Sequence, residues 1–284
     1  MAGPFVTRFA PSPTGYLHRG HAFSALTAFN AARAASGRFI LRIEDIDRTR
    51  CRPEFEAATY EDLAWLGLTW EEPVRRQSDH MADYQGALDI LRARGLLYRC
   101  FRTRKEIAAE IERAPHGAME AFRGAPLSPA EEARRLESGQ SYAWRLSLAA
   151  AEAALGGFDQ LDFLEEGEGP NGERGRIAAR PQLGGDVVLA RKDVGVAYHL
   201  AVVFDDALQG VTHVIRGQDL FEATHVQRLL QALLGLPAPV YRHHRLLAGA
   251  DGKRFAKRDR AQTLRDLRAR GVTPQALRRE LGFD

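Results

Sequence analysis

The segment 8–21 constrains the fold more than any other part of the chain. An apolar opening is interrupted by Pro11, Pro13 and Gly15, and an Ala- and Leu-rich stretch with near-helical spacing follows over residues 22–35. This order predicts a strand, a short loop and the first turn of a helix. The backbone N–H groups of that turn have no partner within the helix, and such groups favour the binding of phosphate.

Two histidines flank a glycine at the predicted helix start. His18 and His21 could donate hydrogen bonds to phosphate oxygens as negative charge builds up, and Gly20 allows a ligand to approach the backbone. The same pair could instead bind a metal ion across one helical turn, or be two ordinary surface histidines. The pair by itself leaves these three interpretations open.

Carboxylates follow the next predicted strand. Residues 38–43 predict a buried strand that pairs in parallel with the first strand, across a right-handed helical crossover. Glu44, Asp45 and Asp47 come directly after it, at the edge where open parallel sheets bind ligands, so an ammonium group or a metal ion is a candidate partner. The alternative is capping by an acidic turn, which we favour for Asp47 but not for Glu44.

Composition limits the class of protein. The chain has 284 residues, of which 45% are hydrophobic, enough for a buried core. The 40 basic and 37 acidic residues nearly balance, so a surface for nucleic acid would have to be local. Cys51 and Cys100 are too few for a disulfide framework, and no stretch approaches the roughly 18 apolar residues of a membrane span. The start of the chain lacks the features of a signal peptide, so we expect a cytoplasmic protein.

The apolar pattern thins over residues 98–181, where arginine and alanine alternate with glycine and proline. We expect an inserted α+β subdomain there, between a first half of the sheet domain at 1–97 and a second half at 182–240. A loop and two short helices should occupy 241–284. Residues 186–189 and 197–206 resume the core pattern, and we expect the second half of the sheet to start with them.

Two late segments carry charged residues at informative positions. Residues 211–220 predict a strand with Arg216 at its end, where a guanidinium could pair with a carboxylate or cover the core with its aliphatic stem. Residues 251–258 predict a glycine turn that leads into a basic loop, and such a loop on its own is an ordinary solvated charge run.

In this order, the segments resemble the class I glutamyl- and glutaminyl-tRNA synthetases. The segment 8–21 resembles their ATP-binding signature, whose core is His-Ile-Gly-His, with Arg19 in place of Ile. Residues 254–258, Arg-Phe-Ala-Lys-Arg, resemble the second signature, Lys-Met-Ser-Lys-Ser, with Lys257 in register. The resemblance implies an α/β fold with a Rossmann-like parallel sheet, an inserted acceptor-type subdomain and a short helical C-terminal segment. It also implies ATP, Mg²⁺ and L-glutamate as ligands.

Roles for individual residues follow from the same resemblance. The catalytic and ATP-binding set is His18, Gly20, His21 and Lys257. The glutamate-binding set is Arg8, Phe9, Ala10, Pro11, Ser12, Glu44, Tyr198 and Arg216. In this set Arg8 takes the α-carboxylate, Glu44 takes the α-ammonium group and Tyr198 contacts the amino acid. Arg216 pairs with the side-chain carboxylate, and its fixed donors should favour glutamate over glutamine.

The chain departs from the family at two places. Arg254 replaces the first lysine of the second signature, and Ala256 replaces its serine and removes the hydroxyl group. Close relatives often carry a zinc site that opens with Cys-x-Cys, but here Arg102 stands where the second thiolate would follow Cys100. Because Cys100 and His116 cannot complete a set of four ligands, we predict that zinc is absent.

The resemblance covers the catalytic part of those enzymes, and we expect no anticodon-binding domain. It points to a truncated group of the family, which attaches glutamate to the modified base queuosine in the anticodon loop of tRNA(Asp). The insertion would then hold the RNA through arginine contacts to phosphate. The candidates are Arg99, Arg102, Arg104, Arg123, Arg134 and Arg135. The alternatives are a catalytic fragment that charges tRNA(Glu), an adenylating enzyme with another acceptor, or a tRNA-binding paralogue without activity.

Overall fold

The computed structural model describes residues 4–113, 121–191, 195–247 and 262–283. The strands are β1 (Val6–Phe9), β2 (Arg38–Ile43), β3 (Arg75–Arg76), β4 (Leu97–Cys100), β5 (Ala143–Leu146), β6 (Asp162–Glu165), β7 (Gly175–Ala178), β8 (Val188–Arg191), β9 (Gly195–Val196), β10 (His213–Gly217) and β11 (Val240–His244). The helices are α1 (Arg19–Ala34), α2 (Pro53–Trp65), α3 (Met81–Ala93), α4 (Arg104–Arg113), α5 (Pro129–Glu137), α6 (Leu148–Leu155), α7 (Tyr198–Leu208), α8 (Phe221–Leu234), α9 (Leu264–Ala269) and α10 (Pro274–Glu280).

A mostly parallel sheet forms the base of the molecule. Strand β2 pairs in parallel with β1 and β3, while β11 pairs in parallel with β10 and, through Tyr241 and Glu165, with β6. The two groups meet at β1 and β10, where the Thr212 N–H donates to the Val6 carbonyl at 2.9 Å and the Val6 N–H donates to Thr212 Oγ1 at 2.8 Å. The predicted α/β class is therefore confirmed, and the carboxyl ends of β1, β2 and β10 meet at one edge.

The first helix follows from its apolar spacing. Ala22, Ala25, Leu26 and Phe29 of α1 are buried, which is the i, i+3, i+4, i+7 pattern of a helix with one face on a sheet. The turn after α1 leads directly into β2, so the predicted strand–helix–strand unit is present. This unit places the start of α1 at the carboxyl edge of the sheet.

The insertion contains an antiparallel sheet with strand order β4-β5-β8-β9. Its strands do not follow the predicted division at residue 181. Strands β8 and β9, expected in the second half of the parallel sheet, pair instead with the insertion, whereas β6, expected in the insertion, extends the parallel sheet. Strand β7 pairs antiparallel with β6 at the edge. Pairing between strands far apart in the chain decides the division, and the order of polar and apolar segments does not reveal it.

Residues 197–206 do not start the second half of the sheet. They form most of α7, whose apolar residues Leu200 and Val203 are buried while Asp205 and Asp206 are also enclosed. A short apolar run suits a buried helix as well as a buried strand, which explains the wrong prediction.

The two C-terminal helices pack on the first half of the sheet. Thr263 and Thr273 cap α9 and α10 through their side-chain oxygens, and Pro274 occupies the first turn of α10. Leu264 and Leu277 are buried in the same apolar cluster as α1. Across the described ranges, no helix has both the length and the apolar character required to cross a membrane.

Candidate active site

A cavity of about 430 Å³ opens at the carboxyl edge of the parallel sheet. Its walls come from the end of β1, the start of α1, the end of β2, the start of α7 and the segments after β10 and β11. Most of the predicted site residues line it. They are Arg8, Phe9, Ala10, His18, Gly20, His21 and Glu44 from the first half of the chain, joined by Tyr198 and Arg216 from the second.

The predicted histidine pair forms the first turn of α1. The Gly20 N–H donates to His18 Nδ1 at 3.1 Å, and the His18 N–H donates to His21 Nδ1 at 3.2 Å. The two rings stack with their centroids 3.8 Å apart. Because Nδ1 of each ring accepts a backbone N–H, each neutral ring carries its proton on Nε2. The imidazoles thus cap the helix, and each has an Nε2–H donor.

A steric constraint favours glycine at position 20. A Cβ atom on Gly20 would lie 2.9 Å from His18 Cε1 and 3.1 Å from His18 Nδ1, closer than unstrained packing allows. Any larger residue would therefore displace the His18 ring.

A buried ion cluster lies beneath the cavity. Arg42 Nη2 lies 3.0 Å from Glu44 Oε1 and 2.8 Å from Asp206 Oδ1, and Arg42 is fully enclosed. Arg8 donates from Nε and Nη2 to the two oxygens of Asp206 at 3.1 and 3.3 Å. Arg42 also lies 3.7 Å from Asp205. The cluster ties β1, β2 and α7 together through opposite charges.

The two carboxylates that pair with Arg42 have pKa values shifted in opposite directions. Burial raises the pKa of Asp206, but Arg8 and Arg42 outweigh burial, so this pKa lies below its usual range. For Glu44, burial is the larger effect, and its pKa lies above the usual range despite the charges of Arg42 and Arg8. Asp206 is therefore a structural anion, while Glu44 would gain from an additional positive group in the cavity.

The other two carboxylates after β2 have different partners. Asp45 accepts hydrogen bonds from the Ser78 N–H and hydroxyl at 2.8 and 2.6 Å. Asp47 accepts from the Thr49 N–H at 3.1 Å in its own exposed turn. Of the three, Glu44 lines the cavity at the sheet edge.

Arg216 lies at the end of β10, as predicted, and is only 4% exposed. Its Nε donates to His243 Nε2 at 3.1 Å, and its Nη2 donates to Thr224 Oγ1 at 2.7 Å and to the Leu220 carbonyl at 3.2 Å. Nη1 is buried and has no hydrogen-bond partner among the residues that the structure describes. A buried cationic donor without a partner is costly, so this atom can bind an acceptor that enters the cavity.

The remaining predicted residues of the N-terminal segment do not all line the same cavity. Phe9 and Ala10 line the cavity, whereas Ser12 lines a second, adjoining cavity. The Pro11 carbonyl accepts the Glu44 N–H at 3.0 Å, and Pro11 lines neither cavity. Pro11 therefore positions Glu44 through the backbone.

Lys257 and the basic loop 251–258 lie outside the described residues. The chain on both sides of this part is placed at the cavity. Leu247 lines it, and Thr263 forms a β-bridge with His18, beside which the Leu264 N–H donates to the Leu17 carbonyl at 2.8 Å.

A second cavity of about 770 Å³ lies between the parallel sheet and the insertion. Glu44 and Tyr198 line both cavities, so the two adjoin. The lining of the second cavity contains the carboxylates Glu44 and Asp47, together with a larger number of cationic and aromatic side chains. They are Arg50, Arg102, Arg104, Arg145, Arg191, Phe101 and Tyr142. Such a lining suits an unstacked base and its phosphates.

The arginines predicted to contact RNA do not all lie there. Arg102 and Arg104 line the second cavity. Arg99 pairs with Glu132, while Arg134 and Arg135 pair with Glu131 on α5. Arg123 is exposed and lines neither cavity.

Cys100 is buried in a small apolar cluster with Tyr98, Ile107 and Phe122. Within residues 4–113, 121–191, 195–247 and 262–283, no three His, Cys, Asp or Glu side chains are grouped to hold a metal ion. His116 lies outside these ranges, so the absence of zinc stays a prediction.

Several residues of the site were missed at the sequence level. Arg42 was assigned only to a buried strand, and Asp206, Glu165 and His243 received no role. A charged residue inside an apolar strand, or an acidic pair that ends an apolar run, is the signal that could have identified Arg42 and Asp206, because buried charges need partners.

The comparisons with known proteins agree with this geometry. The family model described as "tRNA synthetases class I (E and Q), catalytic domain" matches residues 4–283. The fold is therefore that of a class I aminoacyl-tRNA synthetase catalytic domain, which makes the chain a ligase.

Similar proteins of known name indicate to which group within this class the chain belongs. The chain is 49% identical to a glutamyl-Q tRNA(Asp) synthetase of Rhodobacter capsulatus, over 98% of the chain and 100% of that protein. It is 40% identical to glutamate–tRNA ligase 2 of Dinoroseobacter shibae, over 96% of the chain but 59% of that protein. A crystal structure of a glutamate tRNA ligase from Elizabethkingia meningosepticum, in complex with its amino acid, superposes with a TM-score of 0.74 at 29% identity, over 90% of this chain and 52% of that one. The chain belongs to the class I glutamyl- and glutaminyl-tRNA synthetase family and, within it, to the group of glutamyl-Q tRNA(Asp) synthetases.

Membership has direct consequences. The chain has glutamate–tRNA ligase-type activity, with glutamate, ATP and tRNA as partners. Like other class I synthetases it uses ATP, generally with Mg²⁺.

Proposed function

We propose that this ligase activates L-glutamate as glutamyl adenylate and transfers the glutamyl group to queuosine in the anticodon loop of tRNA(Asp). The observation that carries the proposal is the adjacency of the two cavities, which share Glu44 and Tyr198. An acyl adenylate in the first cavity is then within reach of a nucleoside in the second. Proximity of this kind can supply a large part of the rate enhancement.

The first cavity matches the charges of glutamate. Glu44 accepts the α-ammonium group, which adds a second positive partner beside Arg42 to its buried carboxyl. Arg216 donates from Nη1 to the side-chain carboxylate, since its Nε and Nη2 are already engaged. Arg8 and the hydroxyl of Tyr198 bind the α-carboxylate end. Glutamine presents no charge to Arg216 and binds more weakly.

Adenylate formation uses the start of α1. The α-carboxylate of glutamate attacks the α-phosphate of ATP, a bond to phosphorus forms, the bond to the β-phosphate oxygen breaks and pyrophosphate leaves. His18 and His21 donate from Nε2 to phosphate oxygens, and Gly20 keeps the backbone accessible. Lys257 adds positive charge at the triphosphate. Mg²⁺ bound to ATP supplies further neutralising charge.

Transfer takes place at the boundary of the cavities. A hydroxyl of the queuosine cyclopentenediol attacks the acyl carbon, an ester bond forms, the mixed anhydride breaks and AMP leaves. The proton of the hydroxyl passes to the phosphate of the leaving AMP. The arginines and aromatic rings of the second cavity hold the base and its neighbouring phosphates. The near-complete match to the Rhodobacter capsulatus protein, over the whole of that protein, supports this acceptor.

The test measures where glutamate is attached. Radiolabelled glutamate is offered with ATP to tRNA(Asp) carrying queuosine, to the same tRNA without queuosine, and to tRNA(Glu). We expect labelling of the queuosine-bearing tRNA alone, including a sample from which the 3′-terminal adenosine has been removed. Equal labelling of tRNA(Asp) without queuosine would contradict the proposal.

Two other outcomes identify the alternatives. Labelling of tRNA(Glu) that requires the terminal adenosine would show an ordinary charging enzyme. The 40% identity to a glutamate–tRNA ligase is the reason for testing this alternative. Glutamate-dependent pyrophosphate exchange without labelling of any of these tRNAs would show an adenylating enzyme with another acceptor.

A further inference from the structure

A chain of three buried side chains lies behind the cavity. Glu165 is the last residue of β6, while His243 and Arg216 are the penultimate residues of β11 and β10, and each of the three is at most 4% exposed. Glu165 Oε2 lies 2.6 Å from His243 Nδ1, and His243 Nε2 lies 3.1 Å from Arg216 Nε. The chain therefore runs across three neighbouring strands and ends at the cavity.

The direction of the hydrogen bonds is determined by Arg216. Its Nε can only donate, so His243 Nε2 must accept and the ring proton must lie on Nδ1. That proton is donated to Glu165 Oε2. Glu165 Oε1 accepts the backbone N–H groups of His243 and Gly167, both at 2.8 Å. Both oxygens of the Glu165 carboxylate thus face donors.

The arrangement also fixes which donors of Arg216 remain. A guanidinium has five N–H donors. Nε uses one on His243, and Nη2 uses two on Thr224 and the Leu220 carbonyl. The two N–H groups of Nη1 are buried, and no residue of the described ranges accepts from them. The guanidinium lies over the Tyr241 ring, with 5.3 Å from its central carbon to the ring centroid.

We propose that Glu165 and His243 are positioning residues that determine amino-acid specificity. The carboxylate of Glu165 holds His243 in its Nδ1–H tautomer, and the Nε2 lone pair then holds Arg216 with Nη1 as its open donor. This inference rests on the proposed role of Arg216 in binding the side-chain carboxylate of glutamate. Burial lowers the pKa of His243, so the imidazole is neutral at pH 7 and its lone pair remains available.

Glu165→Gln tests the tautomer. The amide oxygen of the introduced side chain still accepts the two backbone N–H groups, so its NH₂ group faces His243 Nδ1. The ring must then accept there and carry its proton on Nε2, which opposes the Arg216 Nε–H. We expect the KM for glutamate in ATP–pyrophosphate exchange to rise about tenfold or more, with a much smaller change in kcat and weaker discrimination against glutamine. The matched control is Glu166→Gln, the same change at the next, exposed residue.

Two variants of His243 separate positioning from support of the fold. In His243→Gln the side-chain oxygen reaches the position of Nε2 and can still accept from Arg216, but the contact with Glu165 is lost. In His243→Asn the amide nitrogen lies near the position of Nδ1 and can still donate to Glu165, but the acceptor for Arg216 is lost. We expect the glutamate KM of the His243→Gln protein to stay nearer that of the unmodified protein. The reverse order would show that His243 only supports Glu165 and would overturn the proposal.

Arg216→Ala distinguishes this inference from the proposed function. A large rise in the glutamate KM in Arg216→Ala, together with unchanged KM in Glu165→Gln and His243→Asn, would refute the positioning role alone. An unchanged KM in Arg216→Ala would refute the proposed role of Arg216 itself. All variants are measured in the full chain, and circular dichroism reports whether each one folds, so the His243 pair remains decisive if Glu165→Gln does not fold.

Discussion

Asp206 is the carboxylate on which the ion cluster beneath the cavity depends. Its oxygens lie 2.8 Å from Arg42 Nη2 and 3.1 Å from Arg8 Nε. Asp206→Asn keeps the size of the side chain but removes the negative charge between these two buried guanidinium groups. An uncompensated buried charge costs about 3–5 kcal/mol. Since domains are stable by only about 5–15 kcal/mol, this is a large fraction of the free energy of unfolding.

Urea unfolding monitored by circular dichroism measures this cost. With an m value of about 3 kcal/mol/M, we expect the midpoint to fall by about 1–1.7 M. Asp162→Asn is the matched control, because Asp162 forms an exposed pair with Arg176 at 2.7 Å. The control should leave the midpoint within error, as exposed ion pairs contribute little.

The pH dependence gives the prediction a second test. Because the folded-state pKa of Asp206 lies below its usual range, its stabilisation is present above the unfolded-state pKa of about 3.9 and is lost as the pH falls through the folded value. The difference in urea midpoint between the unmodified protein and Asp206→Asn should persist at pH 5 and shrink only below about pH 4. Equal midpoints for Asp206→Asn and Asp162→Asn at pH 7 would refute the reasoning.

Three further predictions concern other parts of the chain. Burial outweighs Arg268, whose Nη2 lies 3.2 Å from Asp62 Oδ1, and raises the pKa of Asp62 to about 6, so the cost of ionising Asp62 in the folded state builds up between about pH 4 and pH 6. Asp62→Asn should therefore be more stable than the unmodified protein at pH 7.5, by up to about 3 kcal/mol, but not at pH 4; urea midpoints that differ equally at both pH values would contradict this. Gly20→Ala should displace His18 and lower the rate of pyrophosphate exchange by about 10–100-fold. The control Gly86→Ala, at a position with open space around it, should leave this rate unchanged. Similar rates for both variants would show that the turn at Gly20 tolerates a side chain. Elemental analysis of the purified protein should find no stoichiometric zinc, because Cys100 lacks a second thiolate; about one equivalent per chain would show the opposite.

Local features of the fold followed from the sequence. Prolines and a glycine between apolar segments predicted the strand, loop and helix that became β1 and α1. Propensity, capping and turn chemistry act over a few residues, so neighbouring residues contain most of the information about local secondary structure. The run 197–206 was assigned wrongly because it is too short for its period to separate helix from strand.

In the candidate site too, some features could be predicted from neighbouring residues and others depend on the tertiary structure. Nearby residues in the chain were enough to show that two imidazoles flank Gly20 and that Arg216 ends a strand. Contacts between distant segments were needed to show that Arg42 is surrounded by carboxylates, while Nη1 of Arg216 has no partner in the part of the chain that the structure describes. Arg42 and Asp206 are far apart in the chain, and sheet pairing and the packing of α7 bring them together. Whether a buried arginine stabilises the fold or binds a ligand depends on how many of its donors that packing has already satisfied.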